Sequence, residues 1–380
     1  MTFDIIIYCP DTHIHYNAAL PDKKGVGGGL MARLRLAGAL TRLGHRVHMI
    51  ANVTAPHTYK GVEFIPLQQA NEKRKTDILI LVSSGGALSL EPALELQIDA
   101  KLRLVWVHGV PLIGGLDRLR FDFIISVSNF IRDVIHEEWQ PINQPTFVIY
   151  NGVPKRGTRL FPLHRDPFRL IYTSHPDKGL DAAFGVLQKL RVKDERYHLH
   201  VFGGSALYGA KDAPLPQHPG VTYFGTRRQG QAMRALECSA FSMQLQARPE
   251  PFGMVLTESM SRGAIPIASP VGAYPELLHH GRDGILVPGH YLSDEAQTLA
   301  AEWILRLNQN PDLQAYIRHN AQSIPWDWDN QAKVWAGFWE WALARKGYMS
   351  EKTCVQCQGD VIALADGYHC LQCGEYHQAL

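Results

Sequence analysis

Two glutamates that flank a Pro-Phe-Gly turn are the residues of this chain best suited to ligand binding or catalysis. Glu250 and Glu258 stand eight positions apart in the segment RPEPFGMVLTESMSRGAIPIAS, residues 248–269. Glu250 precedes the turn, so we expect it on a loop where its carboxylate can face a ligand. The pattern after Gly253 predicts that residues 254–260 form the first turns of a helix, whose free N-terminal amides favour anions or hydroxyls. The segment therefore predicts a cradle for a polyol and a phosphate.

The elements after the turn support this interpretation. Gly263 is suited to a helix C-terminus, and residues 264–268 are apolar enough for a buried parallel strand. The alternative is that neither glutamate binds a ligand, one lying on a solvated loop and the other on an exposed helix face.

This segment resembles the motif of retaining glycosyltransferases of family four, which have the GT-B fold and are of the glycosyltransferase group one type. Two glutamates stand eight positions apart in that family, and Pro-Phe-Gly after the first one makes the resemblance specific. The resemblance implies that Glu250 contacts the donor sugar and that Glu258 contacts the nucleotide ribose. It also implies that the amides of Phe252, Gly253 and Met254 bind the sugar hydroxyls or phosphate.

Lys178 is the cation that this chain offers to a diphosphate. A predicted strand ends at Thr173, a polar loop follows, and Lys178 stands just before a predicted helix. A compact ammonium charge at that place can pair with a diphosphate leaving group. Related enzymes use an arginine and a lysine here; Lys178 matches the lysine, but Thr173, Ser174 and His175 occupy the region of the arginine. A helix-flanking lysine without a ligand is the alternative.

The first half of the chain alternates strand and helix signals, which is typical of a parallel sheet covered on both faces. A strand over residues 3–8 leads to a glycine cluster that contains Gly27 and Gly28, and a helix over 30–43 follows. This order predicts a phosphate-binding element, although the glycine spacing is not the dinucleotide fingerprint and a flexible loop is the alternative. Related enzymes carry a glycine pair here, near the donor phosphates and the acceptor.

His108 follows a buried strand predicted over residues 102–107. A polar residue at the carboxyl end of a parallel strand lies where open sheets place ligands. Members of the resembling family often have a histidine here, close to the donor sugar. We therefore predict Glu250, His108 and Lys178 as the catalytic set, with a structural loop histidine as the alternative for His108.

Five tryptophans crowd into residues 326–341. Trp335, Phe338, Trp339 and Ala342 fall at helical spacing and form one apolar face. We predict a crossover helix that packs back on the N-terminal domain, as in related enzymes. The alternative is an interfacial patch that makes peripheral contact with a membrane holding a lipid-linked acceptor.

The tail carries two Cys-x-x-Cys knuckles separated by twelve residues, Cys354 with Cys357 and Cys370 with Cys373. Two such knuckles complete a tetrahedral thiolate shell for structural Zn²⁺, and metal would supply the stability that a short tail cannot gain from a core. A disulfide, or a histidine in place of one cysteine, is the alternative. We expect a zinc ribbon that mediates homo-oligomerisation or binds a protein partner.

The length, the net charge and the apolar runs of the chain limit the class of protein that it can be. A chain of 380 residues predicts two or three domains, and a net charge of +2 gives no reason to expect nucleic-acid binding. The N-terminus is predicted to be a first strand rather than a signal peptide, and no apolar run is long enough to span a membrane. We expect a cytoplasmic protein, with a peripheral position on the inner face of the membrane as the alternative.

These observations predict an α/β protein of GT-B architecture, with two Rossmann-like, doubly wound domains facing across a cleft. The predicted parts are an acceptor domain over residues 1–153, a nucleotide-sugar donor domain over 165–323, the crossover helix over 324–347 and the zinc ribbon over 351–380.

The resemblance implies a retaining, hexosyltransferase-type enzyme that moves a sugar from a nucleotide diphosphate sugar, with UDP favoured, to a hydroxyl of a glycan or lipid-linked acceptor. Glycan, polysaccharide or lipopolysaccharide biosynthesis is the expected setting. We expect no catalytic metal, because Lys178 and helix amides can stabilise the phosphate charge. The alternatives are a nucleotide-sugar epimerase or hydrolase of the same architecture, which needs no acceptor, and a non-catalytic scaffold that acts through its zinc ribbon.

Overall fold

The computed structural model describes most of the chain. The described residues are 1–12, 15–16, 19–23, 25–83, 89–109, 116, 118–139, 144–155, 164–208, 217–345, 349–353, 360–364, 367–370 and 376–378. The chain divides into two compact units. Unit 1 comprises Met1–Tyr16, Leu34–Tyr150 and Asp329–Leu380, and unit 2 comprises Asn17–Arg33 and Asn151–Trp328.

Unit 1 is built on an eight-stranded sheet in the order β3-β4-β2-β1-β5-β6-β7-β8. Its strands are β1 (Asp4–Tyr8), β2 (Arg46–Ala51), β3 (His57–Tyr59), β4 (Val62–Pro66), β5 (Arg74–Ser83), β6 (Ile98–Val107), β7 (Phe123–Ser126) and β8 (Thr146–Val148). Every neighbouring pair is parallel except β3 with β4. The strand order reverses between β1 and β5, as in doubly wound sheets.

Unit 2 is built on a six-stranded, fully parallel sheet in the order β11-β10-β9-β12-β13-β14. Its strands are β9 (Asp166–Tyr172), β10 (His198–Phe202), β11 (Val221–Gly225), β12 (Ser239–Gln244), β13 (Ile265–Ala268) and β14 (Ile285–Leu286). Counted from β9, this order is that of a dinucleotide-binding sheet, and it reverses between β9 and β12.

The described helices follow the strands of both units. In chain order they are α1 (Leu20–Lys23), α2 (Gly28–Arg42), α3 (Asn129–Glu138), α4 (Leu180–Lys193), α5 (Gln229–Cys238), α6 (Met254–Arg262), α7 (Tyr274–Leu277), α8 (Asp294–Gln309), α9 (Pro311–Gln322) and α10 (Trp328–Arg345). None of them combines the length and the apolar character needed to cross a bilayer.

The predicted elements around the glutamate motif are confirmed with small shifts of their ends. Helix α6 begins at Met254, as predicted, and ends at Arg262, just before the glycine predicted at its C-terminus. Gly263 ends it in the left-handed conformation with a φ of +76°, and β13 follows at once. The strand predicted over 102–107 is longer, because β6 already begins at Ile98, whose side chain is buried.

Helix α10 contributes core to unit 1. The Trp339 ring packs edge-on against Phe3, and the Trp335 ring packs against Trp106 on β6. Trp335 and Trp339 are both fully buried. The apolar area of these two indoles is therefore covered by the core of unit 1. Peripheral contact with a membrane stays a prediction.

The tail contains a four-stranded antiparallel sheet in the order β15-β16-β17-β18, formed by β15 (Met349–Thr353), β16 (Asp360–Leu364), β17 (Gly367–Cys370) and β18 (Tyr376–Gln378). Cys370 ends β17, whereas Cys354, Cys357 and Cys373 lie outside the described residues. Among the residues that are described, no group of three or more metal-binding side chains is found.

Candidate functional site

The predicted site residues of unit 2 lie where its sheet reverses strand order. Strands β9 and β12 are neighbours, and the loops after their carboxyl ends carry Lys178 and Glu250 respectively. Open α/β sheets bind ligands at this switch point, because the loops on its two sides diverge and leave a crevice. Two residues that are far apart in the sequence thus belong to one edge of one sheet.

A glycine fixes the loop after β9 against the loop after β12. Lys178 ends a short 3-10 helix, Pro176–Lys178, and Gly179 follows with a φ of +99°. A Cβ atom on Gly179 would lie 1.8 Å from the carbonyl oxygen of Leu245, just after β12. Only glycine permits both this backbone conformation and this close approach. The approach brings Lys178 beside the loop that carries Glu250.

Lys178 and Glu250 form an ion pair. The Nζ atom of Lys178 donates a hydrogen bond of 2.6 Å to Oε1 of Glu250. The two side chains are only 18% and 14% exposed, so solvent screens the pair less than it screens a surface salt bridge. The predicted phosphate cation and the predicted sugar-binding carboxylate are therefore in direct contact.

The backbone of Glu250 is held by the segment before α7. The amide of Ala273 donates a 2.9 Å hydrogen bond to the carbonyl oxygen of Glu250. Gly272 has a φ of +56°, and a Cβ there would lie 2.4 Å from the Glu250 nitrogen. These contacts leave the Glu250 side chain as the part of the residue that can face a ligand.

Gly253 forms the N-cap of α6 with a φ of +95°, and the ring of Tyr274 lies directly against it. A Cβ on Gly253 would come within 2.4 Å of Cε1 of Tyr274. The Tyr274 hydroxyl accepts a 2.9 Å hydrogen bond from Nε2 of Gln246, which holds the polar end of the ring. The buried tyrosine therefore sets the position at which α6 presents its first amides.

Burial, followed by the negative charge of Glu250 and by Tyr172, raises the pKa of Tyr274 well above its ordinary value, against a smaller lowering by the Gln246 hydrogen bond. The phenol thus stays protonated throughout the physiological range.

Glu258 is held by a residue of the neighbouring helix. Nε2 of Gln229, the first residue of α5, donates a 2.8 Å hydrogen bond to Oε1 of Glu258. Glu258 is half-buried, and the amide orients its carboxylate. A fixed carboxylate of this kind is well suited to accept hydrogen bonds from a pair of hydroxyls.

The predicted glycine loop groups with unit 2. Gly27 accepts the first helical hydrogen bond of α2, from the Met31 amide at 3.0 Å. A Cβ on Gly28 would lie 3.1 Å from Cγ of Met254. The N-terminal ends of α2 and α6 therefore meet, and helix N-termini attract anions.

His108 belongs to unit 1. It follows β6, its amide donates to the carbonyl oxygen of Ser83 at 2.8 Å, and its ring lies 4.1 Å from the Trp106 ring. The structure thus brings together Lys178, Glu250 and the start of α6 in unit 2. The role of His108 stays a prediction.

Residues 173–175, which stand where related enzymes have an arginine, lie in a loop held by local hydrogen bonds. The Tyr172 hydroxyl donates to the His175 carbonyl oxygen, and the Asp177 amide donates to Nδ1 of His175. The hydroxyl of Thr173 is buried and has no hydrogen-bond partner among the described residues.

The chain has one Asp-x-Asp sequence, at Asp327 and Asp329. Asp329 forms an ion pair of 2.7 Å with Arg42 in unit 1. Asp327 forms a β-bridge with Val153 in unit 2. The Asp329 carboxylate is therefore paired with a cation, and the backbone of Asp327 is paired with that of Val153.

Sequence reasoning did not single out Gln229, Gln246, Gly179 or Tyr274 as site residues. A polar side chain at a helix start is usually exposed to solvent, so Gln229 gave no separate signal. Gly179 after Lys178 was the one signal that could have been used, because a glycine before a helix suggests a special backbone conformation.

A family model matches the part of the chain that carries this candidate site. Residues 171–324, which contain Lys178, Glu250 and Glu258, match the family model described as glycosyl transferases group 1. The chain is similar to an uncharacterized glycosyltransferase of Methanocaldococcus jannaschii, with 25% identity over 210 residues, which are 53% of this chain and 54% of that protein. The chain spans about half or less of the length of the curated relatives it matches.

Solved structures resemble nearly the whole chain. A glycosyltransferase from Rickettsia africae has a TM-score of 0.65 at 15% identity, over 90% of this chain and 99% of that chain. Anabaena HepE in complex with UDP-glucose has a TM-score of 0.64 at 18% identity, over 89% of this chain and 99% of that chain. The fold is the α/β GT-B fold of glycosyltransferases. The family model covers less than half of the chain, and the structural neighbours show the fold.

Proposed function

We propose that this protein is a retaining glycosyltransferase that transfers a sugar from a nucleotide diphosphate sugar to an acceptor hydroxyl. The observation that carries the proposal is the contact between Lys178 and Glu250 at the switch point of the unit 2 sheet. A cation for the diphosphate and a carboxylate for the sugar hydroxyls stand side by side there, as the phosphate–sugar bond of such a donor requires.

The remaining donor contacts are assigned from the same edge of the sheet. Glu258, oriented by Gln229, accepts hydrogen bonds from the ribose hydroxyls. The first amides of α6, after Phe252 and Gly253, donate to the phosphate or the sugar. The buried hydroxyl of Thr173 is a further candidate donor to the phosphate in place of the absent arginine.

Same-face substitution, assisted by the leaving phosphate, is the preferred route to retention. The alternative makes Glu250 a covalent nucleophile. Its carboxylate already binds the Lys178 ammonium at 2.6 Å, and a charge-paired carboxylate is a weaker nucleophile than one without such a partner. Lys178 would neutralise the charge that develops on the departing phosphate, so the proposal needs no catalytic metal.

UDP is the favoured nucleotide, since the structural neighbour HepE was solved in complex with UDP-glucose. We propose a hexosyltransferase that acts on a glycan or lipid-linked acceptor in polysaccharide or lipopolysaccharide assembly. The acceptor role of unit 1, with His108 near the donor sugar, belongs to the same proposal.

The test is a transfer assay with nucleotide sugars and a panel of glycan acceptors, with the anomeric configuration of the product read by NMR. We expect acceptor-dependent release of nucleoside diphosphate and retained configuration. Near-full transfer activity of Glu250→Gln would eliminate both a nucleophilic role and a strong sugar-binding role for Glu250. Sugar release or isomerisation without an acceptor would instead indicate a hydrolase or an epimerase.

The tail is proposed to bind structural Zn²⁺ through Cys354, Cys357, Cys370 and Cys373. In the tail sheet Thr353 pairs with Asp360, and Val361 pairs with Cys370, so the strand ends that flank both knuckles lie at one end of the sheet.

We expect about one zinc per chain in the purified protein by elemental analysis, and loss of this zinc in the Cys354→Ser/Cys357→Ser variant. Wild-type protein purified without stoichiometric zinc, even after growth in zinc, would refute the ribbon.

A further inference from the structure

The ion pair between Lys178 and Glu250 affects the two ligands of the proposed donor site differently. Lys178, the predicted phosphate cation, already contacts a carboxylate, because its Nζ atom lies 2.6 Å from Oε1 of Glu250. A phosphate that binds Lys178 must therefore also approach the negative charge of Glu250. The pair is mostly buried, so this repulsion is only partly screened.

Donor and product differ in charge at this point. In a sugar-linked diphosphate, each phosphate carries one negative charge. After transfer, the free nucleoside diphosphate has a terminal phosphate whose second proton dissociates near pH 6, so it carries about one further negative charge at pH 7. The product thus presents more negative charge to Glu250 than the donor does.

We propose that Glu250, by its contact with Lys178, makes the site discriminate against free nucleoside diphosphate and so promotes product release. This inference rests on the proposed function. While the sugar is attached, its hydroxyls donate hydrogen bonds to the Glu250 carboxylate, and Lys178 binds the phosphate. When the sugar has left, the carboxylate has lost its hydroxyl partners and faces a more highly charged phosphate.

The distinguishing result is the direction of change in product affinity. If Glu250 only bound sugar, Glu250→Gln would weaken the donor and leave the free nucleoside diphosphate unchanged. The charge-discriminating role predicts that Glu250→Gln binds free nucleoside diphosphate about tenfold more tightly, since removing one charge a few ångströms from another changes affinity by roughly that factor in a partly screened site. Donor affinity should fall in the same variant.

Asp177→Asn is the matched control. It removes the same charge from the residue next to Lys178, but the Asp177 side chain is 88% exposed, so water and salt screen it. We expect this variant to bind free nucleoside diphosphate within about twofold of wild type.

The experiment is calorimetric titration of wild type and both variants with UDP and UDP-glucose, GDP and GDP-mannose, and ADP and ADP-glucose. If no compound binds the wild type, the proposed function fails, and this inference fails with it. If one pair binds and Glu250→Gln leaves the affinity for the diphosphate unchanged or weaker, only this inference is overturned.

A second measurement needs no variant and covers the case in which Glu250→Gln does not fold. The wild type should bind the nucleotide sugar at least as tightly as the matching free diphosphate, despite the larger charge of the latter. Tenfold tighter binding of the free diphosphate by wild type would overturn the inference.

Discussion

Replacing Gly253 by alanine should move the start of α6 and disable the site. The added Cβ would lie 2.4 Å from Cε1 and 3.0 Å from Cδ1 of the Tyr274 ring, whereas carbon atoms in contact are separated by about 3.5–4.0 Å. About 1 Å of separation must therefore be created. Tyr274 is only 1% exposed and is hydrogen-bonded to Gln246, so the ring cannot give way easily.

The free energy of this change has two parts. A non-glycine residue in the left-handed region costs about 1 kcal/mol, which applies at the Gly253 φ of +95°. Overpacking against a buried ring costs roughly a further 1–3 kcal/mol. The expected loss in the free energy of unfolding is therefore about 2–4 kcal/mol, and a 1 Å displacement of the first α6 amides should lower transfer activity about 100-fold.

Gly289→Ala provides the control. Gly289 has a φ of +91°, but a Cβ there meets only Ala296 Cβ at 3.9 Å, an ordinary contact. It should lose about 1 kcal/mol and keep its activity. Urea titration followed by circular dichroism, with activity measured in parallel, compares the two variants. Equal losses of stability and unaltered activity in Gly253→Ala would show that Tyr274 does not position α6.

Three further changes test other parts of the structure. Gly179→Ala places a Cβ 1.8 Å from the Leu245 carbonyl oxygen, so we expect a loss of about 3–5 kcal/mol and no stabilisation by nucleotide in a thermal-shift assay; retained nucleotide binding would contradict the role of this glycine. Arg262→Met breaks the buried 3.0 Å ion pair with Glu237 and should lower the free energy of unfolding by about 3–5 kcal/mol in urea titration; a loss below about 1 kcal/mol would count against a buried pair. Burial, more than the nearby positive charge, lowers the pKa of His200 to about 4, so the unfolded chain takes up a proton below about pH 6.5 while the folded chain does not. Stability is therefore lost as the pH falls from about 6.5 to about 4. His200→Phe should reduce this loss by on the order of 1 kcal/mol, since the side chain is only half-buried. Identical pH profiles of the free energy of unfolding in wild type and variant would refute the lowered pKa of His200.

Local signals explain why much of the candidate site could be predicted from the sequence. The turn, helix and strand around Glu250 depend on neighbouring residues, so the start of α6 and the glycine that ends it agree with prediction. The apolar spacing of Trp335 and Trp339 likewise indicated a buried helix face, and both residues are buried.

The contacts across the unit 2 sheet could not be predicted in the same way. Lys178 and Glu250 are 72 residues apart, and their contact depends on β9 lying next to β12, a strand order that periodicity does not encode. The contact of Tyr274 with Gly253 depends equally on a loop that returns to the motif. Such positioning residues are determined by tertiary packing, whereas the motif is determined locally.

The central claim is that unit 2 binds a nucleotide diphosphate through Lys178 and Glu258. Its most direct test is a thermal-shift screen of UDP, GDP, ADP and their common sugar conjugates, with Glu258→Ala as the comparison. A ligand at 100 times its dissociation constant should stabilise the wild type by about 2.7 kcal/mol and raise its midpoint, with little effect on the variant. The absence of a shift with every nucleotide would contradict the claim and favour a scaffold that acts through its tail.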